Sequence, residues 1–562
     1  MNQRIKLLKI QKKILEGLKE EALTHLKTIP LSLKSYYHEY KNEFKQIQAI
    51  SGKKELLKNI LKSHIIYSGD YHTFDQSQRI VLRILREIIQ KKKNIILGVE
   101  FFLSSHQQYI NDYLNNKITE KELLQKTDYK KNWGFDWNNF KPLFDFAKLH
   151  SLKIIALNST PIHGTLEADD RTVLERRDEF ASKIIINLTQ KYPEHLIYVI
   201  FGDLHLASKH LPKRVEEKLK TLKLNRKRLI IYQNSETIYW KLAKRGLEHD
   251  VDVVRLKDDA YCIINATPWV KLQSYLHWQE KADALRPQMS SFWAHFDTEK
   301  DIIDYNDQIF KYIKIVSQFL DFDLKDKDDF SVYTLEDLDF LNSLSGLSKK
   351  EKKWIEKTLQ RGRSLFIPRE NIIYLSDLSI NDAVEQVTQY IYFQKSHSKE
   401  FVFSGEHNFY AHIFLHALGF LGSKIVNPKR KSDKIIDLKE FIQNCEGKTQ
   451  NLKEEQKLEL YKAAVEFVHS GEEFLKTGQH TTIATKILKT DFLIGEVARI
   501  LGYRIGDRLY RGLVKGELKL LDIQCLFDIE LESKKKIELT YLNLLKKLSH
   551  IHLAYQSRKE HL

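Results

Sequence analysis

The chain has 562 residues, of which 42% are hydrophobic and 30% charged, which excludes a disordered chain and leaves room for two folded domains. Its formal charge is +16, from 91 Lys and Arg against 75 Asp and Glu. The lysines alternate with glutamates, as in "EGLKEEALTHLK", a pattern typical of solvated helix faces. Because no basic motif with interleaved aromatic residues occurs, we expect no nucleic-acid partner.

Cysteine usage and the N-terminal sequence bear on the cellular compartment. The three cysteines are far apart without CxxC spacing, which excludes a disulfide framework and a cysteine zinc site. The first residues are basic but lack the apolar run of a secretory signal, and no apolar stretch is expected to be long enough to span a membrane. We therefore expect a cytoplasmic protein.

The predicted elements fall into three regions in chain order, 1–60, 61–290 and 291–562. The first region should be helical, because Ile5, Leu8, Ile14 and Leu18 recur at helical spacing. In the second region, amphipathic helical stretches separate β-branched runs, which predicts an α/β fold with a largely parallel central sheet flanked by helices. The predicted strands are "HIIYSG", "NIILGVE", "KIIALN", "LIYVIFGD", "RLIIYQ", "VDVVRL" and "YCIINA".

The third region is predicted to be a mainly helical second domain, with one hairpin-like pair at "RSLFIP" and "NIIYL". It carries His412 and His416 four residues apart, after Glu406 and His407. An i, i+4 histidine pair can bind a metal, but the HExxH pattern is absent and the segment is otherwise apolar. We expect core or edge histidines there, and the role of this region stays open.

Polar residues stand at the ends of four predicted strands. In an open α/β sheet, ligands bind beyond the carboxyl ends of the strands, so these residues should line one pocket. Two of the strands end in the same Gly-Asp-x-His pattern. The pocket residues expected from this rule are Asp70, His72, Glu100, Asn158, Asp203 and His205.

This residue set is compatible with two kinds of chemistry. His72, Glu100 and His205 make a plausible triad for a divalent metal ion, and the same groups serve acid/base catalysis without a metal. A single Gly-Asp-x-His is most often a turn with a helix cap. Two copies with Glu100 between them favour a site. "ERRDEF" adds Arg177 and Asp178, of which arginine can hold a carboxylate or phosphate.

The stretch 67–206 resembles the ChaN-like haem-binding family of the Tiki superfamily, which also includes erythromycin esterases. The similar segments are "YSGDYHTFDQSQRIVLRIL", "GVEFFLSSHQQYINDYLNNKITEKELL", "WGFDWNNFKPLFDFAKLHSLKIIALN" and "GDLHLASKHLP". The resemblance places the superfamily's two histidine motifs and its acidic residue on His72, His205 and Glu100, and its Arg-Asp motif on Arg177 and Asp178. The family domain should extend over about 64–290.

What the resemblance implies is a haem cofactor. His72 or His205 would be the iron ligand, and Trp133 and Trp137 would form an apolar lip unless they are core anchors. Two departures stand out. Phe140 occupies a place where a tyrosine is expected, which removes a phenolate ligand, and the family is typically exported whereas this chain shows no export signal.

Three functions are compatible with these residues and this resemblance. The first is a protein that binds haem or another iron cofactor. The second is an esterase, amidase or peptidase with Glu100 as general base, the histidines activating water or a metal, and Arg177 stabilising negative charge. The third is an inactive scaffold. The expected partner is a small-molecule ligand or cofactor, and a homodimer is an option.

Overall fold

The computed structural model describes residues 3–25, 31–159, 171–290, 305–324, 329–335, 337–377, 379–396, 408–445, 451–478, 488, 490–531, 533–553, 555 and 557–560. Glu406 and His407 lie outside these residues. The chain forms two compact units. The α/β unit comprises 15–296 with 560–562, and the helical unit comprises 1–14 with 297–559. The three-part domain division stays a prediction, because compactness does not test independent folding.

Within the described residues, the α/β unit contains eight strands and the helices α1 to α12, with α1 shared between the two units. The strands are β1 Ala49–Ser51, β2 Ile65–Asp70, β3 Ile95–Leu103, β4 Lys153–Asn158, β5 Leu196–Gly202, β6 Arg228–Gln233, β7 Val253–Lys257 and β8 Ala260–Ile263. The helices are α1 Gln3–His25, α2 Leu31–Asn42, α3 Lys53–Leu61, α4 Asp75–Ile88, α5 Gln107–Leu114, α6 Glu120–Lys126, α7 Tyr129–Asn132, α8 Trp137–Leu149, α9 Arg171–Lys191, α10 Leu211–Thr221, α11 Glu236–Lys244 and α12 Pro268–Ser290.

The strands form one mixed sheet in the order β1-β7-β8-β6-β2-β5-β3-β4. The six strands from β8 to β4 are parallel, whereas β7 is antiparallel to both β1 and β8. The predicted α/β fold with a largely parallel sheet is thus confirmed. One local expectation was wrong, because residues 49–51, expected to be helical, form edge strand β1.

The middle of the sheet is buried on both faces. Every residue of β2 and β5 is buried, which explains the unbroken apolar character of "LIYVIF". The strands pack with α4 and α8 around one hydrophobic core that includes Ile80, Leu97 and Phe144. Because β2, β3 and β5 are adjacent and parallel, their carboxyl ends deliver their next residues to the same edge of the sheet.

The helical unit contains α13 Asn306–Leu320, α14 Phe340–Ser343, α15 Lys349–Gln360, α16 Ile380–Ser396, α17 Phe409–Val426, α18 Ile435–Cys445, α19 Leu452–Thr477, α20 Asp491–Lys515, α21 Leu520–Gln524 and α22 Lys534–Leu548. The predicted hairpin is confirmed as antiparallel β10 Leu365–Ile367 and β11 Ile372–Leu375. A strand missing from the sequence prediction, β9 Ser331–Thr334, lies parallel to β11.

Helices α17 and α20 pack with almost no space between their backbones. A Cβ on Gly502 would lie 2.5 Å from the carbonyl oxygen of Ile413, and one on Gly506 would lie 2.4 Å from that of Ala417. These two glycines, four residues apart, therefore form the face of α20 that meets α17. Most of α17 is buried in the core of this unit.

The expectation that no apolar stretch is long enough to span a membrane needs one correction. Helix α17 has 18 residues with a mean hydropathy of 1.3, which meets the length and composition of a membrane span. In the structure 89% of this window is buried among other parts of the protein. A buried core helix has the same signature.

Candidate functional site

Both Gly-Asp-x-His motifs lie at the carboxyl edge of the sheet, and both need their glycine. A Cβ on Gly69, in the last part of β2, would lie 2.0 Å from Oδ1 of Asp203. A Cβ on Gly202, the last residue of β5, would lie 3.2 Å from Oε2 of Glu100 and 3.4 Å from the ring of His72. The missing side chains therefore leave room for the acidic and imidazole groups of the neighbouring strands.

The predicted pocket residues form one group at this edge, and Glu100 lies in the middle of it. It follows Val99, where the regular pairing of β3 with β5 ends, although β3 itself continues to Leu103. Its carboxylate accepts hydrogen bonds from the Arg177 guanidinium and, at 2.5 Å, from the backbone N–H of Gly202. Burial alone would raise its pKa, but Arg177, the two histidines and Gly202 together hold the pKa below its usual value. Glu100 is therefore an ionised, buried carboxylate.

His72 is the member of the group that solvent reaches, with 20% of its side chain exposed. Its Nδ1 lies 2.8 Å from Oδ2 of Asp70, and Gln78 donates to the other oxygen of that carboxylate. Burial lowers the pKa of His72, and Asp70 and Glu100 outweigh that effect, so the net shift is upward. When Nδ1 donates to Asp70, the lone pair of neutral His72 is on Nε2, 3.9 Å from Glu100.

His205 forms a second histidine–carboxylate pair that is almost fully buried. Its Nδ1 lies 2.7 Å from Oδ1 of Asp178, and its Nε2 lies 3.8 Å from Glu100. The hydroxyl of Tyr36, from α2, donates to the second oxygen of Asp178 at 2.7 Å. Burial, followed by the Asp178 charge, raises the pKa of Tyr36 well above its usual value. Sequence reasoning missed Tyr36, since it lies 142 residues before its partner with no motif around it.

The two residues of the Arg-Asp pair of α9 contact different members of the site. Arg177 binds Glu100 and donates to the side-chain oxygen of Asn158 at 3.2 Å, whereas Asp178 binds His205. The preceding Arg176 is exposed. The structure thus brings Asn158, Arg177 and Asp178 into the group.

Asp203 lies at the other side of the group and pairs with a residue that the sequence did not suggest. Lys271, from α12, donates to Asp203 at 2.9 Å, and its ammonium lies 4.4 Å from the centre of the Tyr71 ring. The other carboxylate oxygen of Asp203, next to Gly69, has no hydrogen-bond partner among the described residues. Asp203 therefore does not contact His205, two residues further on, through any hydrogen bond in the described part of the chain.

The two tryptophans have different positions. Trp133 lies against His72, with ring centres 4.6 Å apart, and Phe135 lies 5.0 Å from the same imidazole. Trp137 instead packs in the core against Phe102 and Tyr129, and its place in a cofactor lip stays a prediction. Phe140 is completely buried as well.

A small cavity lies beside the site. A cavity lined by Trp133, Tyr129 and Asn158 has a volume of about 10 Å³, enough for one water molecule. The partly exposed side of His72 lies beside Trp133 and Phe135.

The charges in the site do not balance. Four carboxyl groups, those of Asp70, Glu100, Asp178 and Asp203, face the two cations Arg177 and Lys271, an excess of two negative charges with neutral histidines. This excess raises the pKa of Asp70, after burial, and that of His72. No group of three His, Cys, Asp or Glu side chains in the described ranges is arranged to hold a bare metal ion. With neutral histidines, the charged side chains of the site therefore carry a net negative charge.

Residues 56–162 match the family model described as haem-binding uptake, Tiki superfamily, ChaN. A solved structure, "Cofacial heme binding to ChaN of Campylobacter jejuni", is 14% identical to this chain, with a TM-score of 0.28, and the alignment covers 38% of this chain and 91% of that one. No curated protein matches.

The family match includes β2, β3 and β4, and hence Asp70, His72, Glu100 and Asn158. It ends at residue 162, whereas the resemblance was expected to reach about residue 290. The family match includes no residue of the C-terminal half. The resemblance predicted from the sequence is confirmed for residues 56–162, which match the haem-binding ChaN family of the Tiki superfamily.

Proposed function

We propose that the α/β unit binds haem with His72 as the iron ligand. The binding site is the group of side chains at the carboxyl ends of the strands, here called the strand-end site: Asp70, His72, Glu100, Asn158, Arg177, Asp178, Asp203 and His205. The main support for the proposal is the set of contacts and the exposure of the His72 ring. Its Nδ1 is held by Asp70, its edge is exposed, and its Nε2 makes no hydrogen bond within the described residues. A ligating histidine commonly donates its other ring nitrogen to a carboxylate in this way, which fixes the tautomer and strengthens the ligand.

Two further features of the site fit haem. The excess of negative charge suits the positively charged core of ferric haem, which brings its own four nitrogen ligands. Trp133 and Phe135 offer aromatic surface beside His72 for a flat macrocycle. Bound haem would supply a redox-active iron centre, which the chain's own side chains lack.

The remaining residues act as supports in this proposal. Asp70 orients His72, and Arg177 keeps the Glu100 carboxylate ionised behind it. His205 is too enclosed to be the first choice of ligand, with 5% of its side chain exposed, and its contact with Asp178 and Tyr36 ties α9 and α2 to the site.

An absorbance titration of the apo-protein with haem tests the proposal. We expect a saturable Soret shift that His72→Ala abolishes, because the iron loses its protein ligand. Asp70→Asn should weaken the affinity by about 10–100-fold, the usual effect of removing a carboxylate behind a metal-binding histidine. The exposed His38 provides a matched control, and His38→Ala should bind as the unmodified protein does.

Unchanged titration of His72→Ala, in a variant with an unchanged circular dichroism spectrum, would disprove ligation by His72. A shift lost in His205→Ala but kept in His72→Ala would move the ligand to the buried histidine.

A second candidate function rests on a separate observation. Nε2 of both histidines lies within 3.9 Å of Glu100, and each histidine is backed by its own aspartate. Paired His–Asp groups around one carboxylate suit acid/base hydrolysis. A screen with p-nitrophenyl esters tests it, since Glu100→Gln should abolish any turnover. Turnover that survives Glu100→Gln would place hydrolysis outside this site.

A further inference from the structure

The helical unit contains a cavity of about 140 Å³ that plays no part in the strand-end site. It lies where the end of α15 and the β10 strand meet α16, α17 and α20. Aromatic residues, Trp354, Phe366 and Phe492 among them, contribute to its lining, which also carries several charged groups. A cavity of about 150 Å³ is known to accommodate benzene, so this one is large enough for a ligand with a single ring.

One polar part of the lining is a fixed histidine–glutamate pair. Oε1 of Glu385 lies 2.9 Å from Nδ1 of His416, and Oε2 accepts from the Tyr503 hydroxyl at 2.7 Å and from Arg430 at 2.9 Å. Arg430 and its neighbours lower the pKa of the buried Glu385 to about 2 against the effect of burial. When Nδ1 donates to Glu385, the lone pair of a neutral His416 is on Nε2, for which no hydrogen bond is found within the described residues.

A second polar part is rich in arginine. Oε2 of Glu496 accepts from Arg499, at 2.7 and 3.0 Å, and from Arg363 at 2.8 Å, so two guanidinium groups share one carboxylate oxygen. Each guanidinium has five N–H donors, so several stay available to a ligand. Arg361 also lines the cavity, 5.3 Å from the centre of the Phe492 ring, and forms no ion pair within the described ranges.

The two remaining acids of the lining are Asp382 and Asp491. Burial, followed by the charges of Glu385 and Asp377, raises the pKa of Asp382 to about 6. Asp491 is exposed at the start of α20. At the arginine-rich end, the guanidinium groups of Arg361, Arg363 and Arg499 face the carboxylates of Glu496 and Asp491, which leaves an excess of one positive charge there.

We infer that this cavity is a second ligand site, which binds a small aromatic carboxylate bearing a hydroxyl group. The carboxylate would lie on the guanidinium groups of Arg361, Arg363 and Arg499. The ring would lie against the aromatic lining, and the hydroxyl would donate to Nε2 of His416. Bidentate guanidinium–carboxylate contacts supply both affinity and direction.

Calorimetric titration of the full chain with 4-hydroxybenzoate as the probe tests the inference. We expect saturable binding that is weakened about tenfold when the probe's charge is removed in 4-hydroxybenzamide, and again when Arg361 is replaced in Arg361→Gln. Lys357→Gln is the matched control, because Lys357 is an exposed cation on α15 outside the lining. It should bind the probe as the unmodified chain does.

The hydroxyl contact has its own test. Benzoate lacks the hydroxyl and should bind more weakly than 4-hydroxybenzoate to the unmodified chain. His416→Leu should erase that difference, whereas a merely structural role of His416 would weaken both probes alike. His72→Ala should leave all of these affinities unchanged, which separates this cavity from the strand-end site. Absence of saturable binding, equal binding of acid and amide, or equal effects of Arg361→Gln and Lys357→Gln would overturn the inference.

Discussion

Arg177 is the residue on which the buried charge of Glu100 depends. Its guanidinium is the cation bound directly to that carboxylate, which burial alone would neutralise. Removing one partner of a buried ion pair usually costs about 3–5 kcal/mol, so we expect Arg177→Met to destabilise the α/β unit by that amount. Urea unfolding followed by tryptophan fluorescence measures it.

The neighbouring residue offers the control for this substitution. Arg176 is exposed, and Arg176→Met should change the stability by less than about 0.5 kcal/mol. The double variant Arg177→Met/Glu100→Gln should recover part of the loss, because no unpaired charge is then buried. Equal stabilities of the Arg176 and Arg177 variants would show that Glu100 needs no cation.

Glu385 makes the stability of the helical unit depend on pH. Its pKa is lowered from 4.5 to about 2 in the folded protein, so it stabilises the fold at pH values above its unfolded pKa. That contribution, about 3 kcal/mol at most, is lost as the pH falls from about 5 through 2. Glu385→Gln should therefore be less stable than the unmodified chain at neutral pH. Hydrogen exchange in α17 should show the difference shrinking toward acid pH, and a constant difference would contradict the assignment.

At the scale of elements, the contact between α17 and α20 depends on glycines at the contact itself. Gly502→Ala and Gly506→Ala would place a Cβ within 2.5 Å of carbonyl oxygens of α17 and should each cost about 1–3 kcal/mol. Gly495 lies in the same helix with no atom within 4 Å of its Cβ position, so Gly495→Ala should stabilise the helix by about 0.5–1 kcal/mol. Thermal unfolding of the three variants tests this opposite pair of effects.

The elements also show why part of the fold was predictable from sequence. Buried parallel strands are continuous apolar runs, and β2, β3, β4, β5 and β6 were all found from that signal. Strands β1 and β9 were missed because each has only three or four residues, mostly partly exposed, so no apolar pattern marks them. Their pairing depends on partners far along the chain.

The candidate site was predictable to the extent that strand ends determine it. Gly-Asp-x-His motifs and Glu100 were identified because the carboxyl ends of adjacent parallel strands meet at one edge. Tyr36 and Lys271 were not, since helices outside the sheet motifs deliver them. Similarly, the pairing of His416 with Glu385 spans 31 residues and two helices, and the local sequence around His416 looks like that of a core histidine.

At the scale of the whole molecule, the start of the chain belongs to the core of the helical unit. Leu7 is 1% exposed in that core, and Gln11 donates to the carbonyl oxygen of Ile425 in α17. Leu7→Ala should cost about 2–5 kcal/mol and speed hydrogen exchange in α13 and α17. Leu23→Ala, on the same helix but with Leu23 62% exposed, should leave both unchanged. Equal exchange in the two variants would contradict a core role for Leu7.

This use of residues 1–14 has a consequence for biosynthesis. They leave the ribosome before any of residues 297–559, the rest of their unit, has been made. At about 5–20 residues per second, the roughly 280 intervening residues take on the order of 15–60 seconds to translate. For that time the apolar side chains of Leu7 and Ile10 have no native core to pack against. Residues 3–14 must therefore stay soluble, or be bound by a chaperone, until residues 297–559 have been made.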